Sequence, residues 1–305
     1  MAALGLRRSV RRFVLVGVVM ALAWPAAASA HIRTGTVAVS YRATITHVPR
    51  GVVARVYPGD LALGLSALPG HRVTLLGYLG EPFARVDSHD ATIFKSAPTS
   101  AAAAVRIQKS GPRVVWHDAR LRGLRARTTH GKWAVPLVVD GHRARLSGTL
   151  VRLPAPAAWP WAVVGVPFVA AAALLLLRRS PRYLELGAFA LGGIVVASVV
   201  ATAAGFGFDA NASEGRWVEG ATEVLFAAVG VAVLVRGRPE TRVLAAGALG
   251  LLGLAVGASK IPVFTHAIVL SLLPGTAARL TLAVMIWASA AAVALGAAVF
   301  AAVLE

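Results

Sequence analysis

The 305-residue chain contains no cysteine. This absence excludes a disulfide framework, a thiolate metal site and a cysteine nucleophile. The sequence also lacks the G-x-S-x-G nucleophile elbow, the Walker and Rossmann glycine loops and the H-E-x-x-H zinc motif. Because no nucleophile or metal constellation can be assigned, we expect a protein that is not an enzyme.

Acidic residues are also few. The chain has 13 Asp and Glu against 31 Lys and Arg, which gives a formal net charge of +18. Residues 31–156 contain 18 of the basic and 6 of the acidic side chains. A basic domain outside the cytosol attracts anionic lipid or acidic cell-wall polymer, and nucleic acid is not an expected partner there. The alternative is a solvated arginine-rich surface that binds nothing.

The first 30 residues are typical of a signal peptide. Four arginines precede the apolar run 13–24, and an A-x-A site ends at Ala30. The apolar run is too short to cross about 30 Å of hydrocarbon, so we predict cleavage after Ala30. The mature chain then begins at His31, although retention of the segment as an anchor stays open.

Residues 31–156 have the pattern of a β-rich domain. Apolar and polar residues alternate between positions 36 and 45, which is typical of a half-buried strand. Shorter β-like runs follow at spacings of about 8–12 residues, which suits a sandwich. These runs cover 52–57, 61–65, 72–78, 83–86, 92–94 and 105–107. The clearest hairpin joins 135–139 to 142–153 through Asp140-Gly141. We predict an all-β, immunoglobulin-like sandwich outside the cytoplasm.

Residues 157–305 contain five apolar stretches, each near the length of about 20 residues that spans a bilayer. They are approximately 161–177, 186–204, 218–235, 243–259 and 280–304. Arginines cluster after the first stretch (Arg178, Arg179, Arg182) and between the third and fourth (Arg236, Arg238, Arg242). Such clusters face the cytoplasm. The sequence therefore predicts an all-α domain of five transmembrane helices, with the sandwich outside the cell membrane and the C-terminus in the cytoplasm.

Glu219 and Glu223 lie four residues apart near the outer end of the third stretch, so they project from one helix face. Carboxylates at membrane depth often belong to ion or proton pathways. Lys260 and His266 are the expected neighbours in the predicted topology. The alternative is a headgroup position for Glu219 and one interhelical salt bridge for Glu223.

The apolar segment 261–274 is too short to cross the membrane, and we expect it to be re-entrant or interfacial on the outer side. His266 lies in its middle. Either this histidine closes a cavity formed with the two glutamates, or it is packed and hydrogen-bonded.

Histidines raise the hypothesis of copper binding. At the mature N-terminus, His31 combines an α-amine with an imidazole, a chelating pair suited to Cu(II). A second ligand has to come from another histidine, of which His117 is the candidate in a distinctive motif. No H-x-H or H-x-x-x-H spacing supports this hypothesis.

Trp116-His117-Asp118 begins a segment that continues through four basic residues, Arg120, Arg122, Arg125 and Arg127. An aspartate beside a histidine can orient an imidazole, but catalysis also needs a nucleophile and a pocket. The alternative is structural, with Trp116 in the core and the next two residues at a strand end. The four arginines form a candidate basic surface.

Two motifs, Gly77-Tyr78-Leu79-Gly80-Glu81-Pro82 and Trp116-His117-Asp118-Ala119-Arg120, resemble those of a family of multi-pass membrane proteins from high-GC Gram-positive bacteria. The resemblance extends mainly over residues 50–180. The family usually has W-H-D-H-R followed by a further His-Trp, whereas this chain has Ala119 and Arg122-Gly123 there. Any site formed by those histidines is therefore degenerate here. The family has no assigned activity, so the resemblance implies architecture alone.

The leading hypothesis is an integral envelope protein whose sandwich binds a ligand outside the membrane or scaffolds other envelope proteins. The runner-up is a copper-handling or transport-related protein that uses His31 and the face formed by Glu219 and Glu223.

Overall fold

The computed structural model describes residues 37–57, 62–101, 107–121, 124, 128–178, 180–208 and 217–304. The predictions for the signal peptide, His31, Arg122, Arg125 and Arg127 lie outside these residues. The N-terminal part of the described chain contains eleven strands and, at residues 98–101 and 119–121, two single helical turns. The strands are β1 (Ala38–Val39), β2 (Tyr41–His47), β3 (Val52–Tyr57), β4 (Ala62–Ala67), β5 (Val73–Leu76), β6 (Pro82–Val86), β7 (Ala91–Ile93), β8 (Ile107–Ser110), β9 (Arg113–His117), β10 (His130–Val139) and β11 (His142–Arg152).

Ten of these strands form two antiparallel sheets, a six-stranded sheet in the order β2-β11-β10-β5-β6-β7 and a four-stranded sheet in the order β3-β4-β9-β8. Alternate residues of both sheets point into one shared core. Leu63 and Trp116 come from the four-stranded sheet, and Phe83, Val135 and Leu146 come from the six-stranded sheet. All five side chains are buried, so the predicted β-sandwich is confirmed.

The β10–β11 hairpin has the longest ladder, which runs without interruption from the pair His130↔Val151 to the pair Val139↔His142. Asp140 and Gly141 connect the two strands with φ angles of 50° and 83°. Two consecutive positive φ values are those of a type I′ turn, whose twist matches that of the strands. The hairpin predicted from Asp-Gly is confirmed, and its first strand begins five residues earlier than the apolar pattern indicates.

Five helices long and apolar enough to cross a membrane follow the sandwich, as predicted, and they indicate a multi-pass membrane protein. Numbered in chain order after α1 (Pro98–Ala101), the helices of this region are α2 (Trp159–Val163), α3 (Val166–Arg178), α4 (Pro181–Gly207), α5 (Trp217–Arg236), α6 (Pro239–Ser259), α7 (Pro262–Thr265) and α8 (Gly275–Leu304). Helices α2 and α3 together make the first span.

Prolines explain where the helices differ from the predicted stretches. Pro181 and Pro239 occupy the first turns of α4 and α6, where a missing N–H costs no hydrogen bond. The first turns of both helices therefore include charged residues, although the apolar stretches predicted from the sequence begin later. Pro167 lies near the start of α3 and cannot donate to the preceding turn, which accounts for the break between α2 and α3.

The bundle has one end next to the sandwich, called the sandwich end, and an opposite end, called the far end. Strand β11 leads into α2 at the sandwich end, and Leu153 N donates to Ser40 O there at 2.7 Å. Helices α4 and α6 end at the sandwich end, and α5 and α8 begin there. At the far end Arg242 forms a salt bridge with Glu185.

A short strand pairing joins the sandwich to the bundle. Strand β1 pairs antiparallel with β12 (Ile268–Val269), which lies between α7 and α8. Leu270 N donates to Val37 O at 3.0 Å. Val37 and Ala38 are buried in the same apolar core as the helices. The segment that the sequence predicts to be re-entrant or interfacial is thus a helical turn followed by a docking strand.

This pairing predicts a specific crosslink. Ala38 and Val269 are direct cross-strand partners next to a hydrogen-bonded pair, a position where Cα atoms lie about 4.5 Å apart, within disulfide range. In the cysteine-free chain, Ala38→Cys with Val269→Cys should form a disulfide on mild oxidation, detected by mass spectrometry of linked peptides. Ala38→Cys with Ile268→Cys is one residue out of register and should remain reduced. Equal yields from both variants would contradict the register.

Candidate functional site

Glu219, Glu223 and Lys260 form a buried ion cluster at the sandwich end of the bundle. Both glutamates project from the first turns of α5, and Lys260 directly follows α6. Lys260 Nζ donates to Glu223 Oε1 at 2.8 Å and to Glu219 Oε1 at 3.2 Å. A third contact joins Nζ to Ser259 Oγ at 3.4 Å. The structure therefore brings together three of the four residues that the sequence places in a membrane polar cluster.

The members of the buried ion cluster differ in exposure. The side chains of Lys260 and Glu223 are 2% and 7% exposed, whereas that of Glu219 is 45% exposed. Lys260 and Glu223 thus form a buried pair, in which each charge compensates the cost of removing the other from water. Glu219 lies at the open edge, where solvent weakens its interaction with Lys260.

A small cavity adjoins this cluster between α4, α5 and Lys260. It has a volume of about 10 Å³ and is lined by Ala203, Phe206, Gly207, Glu219, Gly220, Glu223 and Lys260. That volume accommodates about one water molecule. A hydrated ion or an organic substrate does not fit in it.

Buried charged side chains occur only at the sandwich end of the described bundle. Among the described residues of the helices, the buried charged side chains are Glu223, Lys260 and Arg279, and all three lie at the sandwich end. Below them the buried polar residues are hydroxyls, such as Thr202 and Ser289. A transport pathway needs polar groups through the whole membrane thickness. The cluster therefore has the geometry of a structural ion pair.

Arg279 connects helix α8 to α7 and to the residues that link α7 to β12, among them His266. Arg279 Nε donates to Val263 O at 2.9 Å, and Nη2 donates to His266 O at 2.8 Å and to Ala267 O at 3.1 Å. The imidazole Nδ1 of His266 lies 3.0 Å from Pro262 O. His266 does not line the cavity beside the glutamates. Of the two alternatives for this histidine, the structure agrees with the packed and hydrogen-bonded one.

Asp118 is the centre of a second network, the motif cluster, which comprises Tyr78, Glu81, Trp116, Asp118 and Arg120. Trp116 Nε1 donates to Asp118 Oδ2 at 2.9 Å. Arg120 donates to the carboxylate through Nε at 2.8 Å, Nη2 at 2.7 Å and its backbone N at 2.9 Å. Burial alone raises the pKa of Asp118, but the hydrogen bonds and charge of Arg120 outweigh burial and lower that pKa below its ordinary value.

The first sequence motif contributes the rest of this cluster. Tyr78 OH donates to Asp118 Oδ1 at 3.3 Å and accepts from Ala119 N at 2.9 Å. The guanidinium of Arg120 lies 4.8 Å from the centre of the Tyr78 ring, within cation–π range. Partial burial, together with the Asp118 charge, raises the pKa of Tyr78. The two sequence motifs are thus in contact in the folded chain and are joined by these hydrogen bonds.

Glu81 orders the turn that carries Tyr78. Its carboxylate accepts hydrogen bonds from Thr99 Oγ1, Thr99 N and Leu79 N, and the Thr99 hydroxyl bond is the main reason why the pKa of Glu81 is lowered. Gly77 leaves room for this arrangement, because a Cβ there would lie 2.1 Å from Thr99 Oγ1. The pattern G-Y-x-G-E-P therefore has a structural explanation.

Among the candidate metal ligands and basic residues, His117 and Arg120 lie in the described part of the chain. His117 ends β9 and is half-buried. Across the described part of the chain, no group of three or more His, Asp or Glu side chains is arranged to hold a metal ion. Arg120 belongs to the motif cluster and is bound to Asp118, so it does not act as a free cation of a basic surface.

A different basic surface covers the outer side of the six-stranded sheet. Strands β2, β6, β10 and β11 direct five basic side chains to this side, called the basic face, namely Arg42, Arg85, Lys132, Arg143 and Arg145. All five residues are exposed. No acidic residue points outward from the described strands of this sheet. The spacing Arg143-x-Arg145 is the feature of the sequence that indicates this face, because residues two apart in a strand share a face.

Cross-strand registers show that these cations share one side. Arg143 pairs with Val138, Val138 with Thr74, and Thr74 with Arg85, so Arg143 and Arg85 lie in one row across the sheet. Lys132 pairs with Thr149, two positions before the row of Val151 and Arg42. Between these rows, polar hydroxyls such as Thr44 and Thr149 face the same side, and their Oγ1 atoms lie 2.7 Å apart.

Comparisons with protein-family models, curated proteins and solved structures find no match to this chain.

Proposed function

We propose that this chain is an integral envelope protein that displays its sandwich outside the cell membrane and binds an acidic cell-wall polymer on the basic face. The observation that carries the proposal is a sheet surface whose described strands direct five exposed cations and no anion outward. The resemblance to a family of multi-pass membrane proteins belongs to the same proposal, and the mutual contacts of its two motifs support it.

Charge asymmetry supports the orientation. The far end carries Arg178, Arg182, Arg236, Arg238 and Arg242. At the sandwich end, Lys260 and Arg279 are buried and bonded within the protein. Arginine-rich loops remain in the cytoplasm during insertion. The far end is thus cytoplasmic in this proposal, and the sandwich is outside.

A polymer fits the basic face better than a lipid surface does. From the row of Arg42 to that of Arg143 the cations extend over eight residues of β11, which is about 27 Å of strand. Only the Arg42 end of this face adjoins the bundle, since β11 runs from the distal turn at Asp140 toward α2. A bilayer at the sandwich end reaches that end alone, whereas a chain of repeating phosphodiesters can follow the whole face.

The test removes two charges from the basic face. Full-length protein in nanodiscs carrying Arg143→Ser and Arg145→Ser should bind poly(glycerol phosphate) about 30-fold more weakly, at about 1 kcal/mol for each cation. The slope of log affinity against log salt should fall by roughly one to two units, because two phosphate contacts are lost. Binding is measured by fluorescence anisotropy of labelled polymer over a salt series.

The matched control is Arg50→Ser with Arg113→Ser, which removes the same charge from a turn and from the four-stranded sheet, both exposed. This variant should bind the polymer almost as the unmodified protein does. Equal weakening by both variants would mean that net charge, not the basic face, determines binding. Preference for phosphatidylglycerol vesicles over the polymer would replace the polymer with lipid as the partner.

A further inference from the structure

Helix α4 has one side that no other helix of the described bundle covers. Leu186, Gly193 and Val200 recur at intervals of seven residues, which places them on one side of the helix, and all three are exposed. A Cβ added to Gly193 would meet no atom within 4 Å, so the middle of this side is open. We call this side of α4, from Arg182 to Val200, the open strip.

Helices α3 and α5 border the open strip. At about 100° per residue, Gly187 and Gly192 lie to opposite sides of Gly193. An added Cβ on Gly187 would overlap the Leu175 side chain of α3, and one on Gly192 would lie 2.9 Å from Leu234 Cδ2 of α5. In the described bundle α3 and α5 each pack against α4 but not side by side with each other. The open strip is therefore the floor of a groove whose walls are α3 and α5.

This groove begins at the far end of the bundle and reaches its middle. Helix α3 ends at Arg178 and α4 begins at Pro181, so the far end of the groove lies where the first two candidate spans leave the membrane. Gly193 follows Arg182 by eleven residues, which is about 17 Å along a helix. One leaflet is about 15 Å, half of a hydrocarbon core of about 30 Å. The groove between these two residues therefore matches the depth of one leaflet.

Two arginines, called the groove entrance, stand at the far end of the groove. Arg178 is the last residue of α3, Arg182 lies in the first turn of α4, and both are exposed. The guanidinium of Arg178 lies 5.8 Å from the centre of the Tyr183 ring, within cation–π range, so it is held over the first turn of α4. That turn contains no acidic residue, and Glu185 in the next turn forms a salt bridge with Arg242. The groove entrance is therefore cationic.

We infer that the groove binds one anionic phospholipid of the surrounding bilayer. The lipid phosphate lies between the guanidiniums of Arg178 and Arg182, whose planar donor groups match phosphate oxygens, and one acyl chain follows the open strip as far as Gly193. The negative charge of the lipid compensates two adjacent cations. A zwitterionic headgroup does so less well, because it brings a cation of its own. The inference is independent of what the basic face binds and of which side of the membrane the far end faces.

A second copy of the chain is the alternative occupant of a groove that faces lipid. Two copies in one membrane are related by a two-fold axis, which runs along the membrane normal when both have the same orientation and places each residue at the depth of its counterpart. Arg178 and Arg182 would then face the same two arginines of the other copy, and like charges in juxtaposition are unfavourable. The charge of the groove entrance therefore favours an anionic lipid.

Removing the groove entrance should weaken the binding of anionic lipid. Full-length protein with Arg178→Ser and Arg182→Ser, in a neutral detergent, should bind phosphatidylglycerol about 30-fold more weakly than the unmodified protein does. Its weaker binding of phosphatidylcholine should not change. Native mass spectrometry over a titration with each lipid counts the lipids that stay bound to the chain and gives both affinities.

Arg236→Ser with Arg238→Ser is the matched control, because it removes the same charge from the same end of the bundle. Arg236 lies two residues beyond Leu234, about 200° around α5 from the contact with α4, so it points away from the groove. Arg238 directly precedes α6, which is not a wall of the groove. This variant should bind phosphatidylglycerol almost as the unmodified protein does. Equal weakening by both pairs, or equal binding of the two lipids by the unmodified protein, overturns the inference.

A cysteine at position 193 tests the alternative occupant. The chain has no other cysteine, and a Cβ at this position has open space, so Gly193→Cys should fold normally. After mild oxidation in liposomes that contain phosphatidylglycerol, the variant should remain a monomer on non-reducing gel electrophoresis. A disulfide-linked dimer would instead show that a second copy occupies the groove, and the lipid would be the wrong occupant.

Discussion

Replacing Lys260 with methionine is expected to lower the free energy of unfolding by about 3–5 kcal/mol. The Lys260 ammonium is buried and lies 2.8 Å from Glu223 Oε1. Methionine fills a similar volume but leaves the Glu223 carboxylate buried without the ammonium charge. SDS titration of the full chain in mixed micelles, followed by helical circular dichroism, measures this loss.

A second substitution should reverse most of the loss. Glu223→Gln in the Lys260→Met background removes the uncompensated charge, and replacing both members of a buried ion pair is often close to neutral. Glu219→Gln is the control on the exposed side of the same cluster, and its effect should stay below about 1 kcal/mol. If the double variant were as unstable as Lys260→Met alone, the pair would not be the cause.

The same set of variants separates a structural ion pair from a transport group. A pair that only stabilises the fold can be replaced by Met and Gln without any change in ion flux across proteoliposomes. A pathway through the cluster would lose flux in the stable double variant. The small size of the cavity, and the absence of buried charged side chains from the far half of the described bundle, agree with the first outcome.

Local patterns were sufficient to predict most of the fold. Alternation in β2, the Asp-Gly turn at 140–141 and the apolar runs of the helices each depend on near neighbours in sequence. Where prediction and structure differ, the cause is also local, as with Pro181, which extends α4 beyond its apolar stretch. The four-residue spacing of Glu219 and Glu223 predicted that both lie on one helix face. The predicted topology was the only reason to expect Lys260 near them.

Contacts between distant segments were not predictable in the same way. Ala38 pairs with Val269, and Tyr78 bonds to Asp118, yet no periodicity links either pair. Arg279 illustrates the same limit, because its surroundings of carbonyl oxygens exist only after α7 has folded against α8. The members of the polar pairs Trp116–Asp118 and Asp118–Arg120 are only two residues apart in sequence, so the motif itself indicated that they belong together.

Asp118→Asn is expected to destabilise the sandwich by about 3 kcal/mol at neutral pH. Asp118 is fully buried and accepts from Trp116, Tyr78 and Arg120, and Asn provides a single acceptor oxygen where the carboxylate has two. The Arg120 side chain is 20% exposed, so water solvates part of its charge and the effect is at the lower end for a broken buried pair. Urea titration of the full chain in detergent, followed by near-UV circular dichroism, reports the change.

Measurements at acid pH distinguish the loss of the Asp118 charge from a disturbance of packing. They do so because the folded pKa of Asp118 is lower than its unfolded value of about 3.9. The stability that this carboxylate contributes is complete above that unfolded value, and it is lost as pH falls through the folded pKa. Asn does not titrate, so the difference between the two proteins should be largest near pH 7 and should shrink below about pH 4. A difference that stayed constant down to acid pH would show that Asn disturbs packing instead of removing a charge. In that case Asp118 would not be the electrostatic centre that holds the two sequence motifs together.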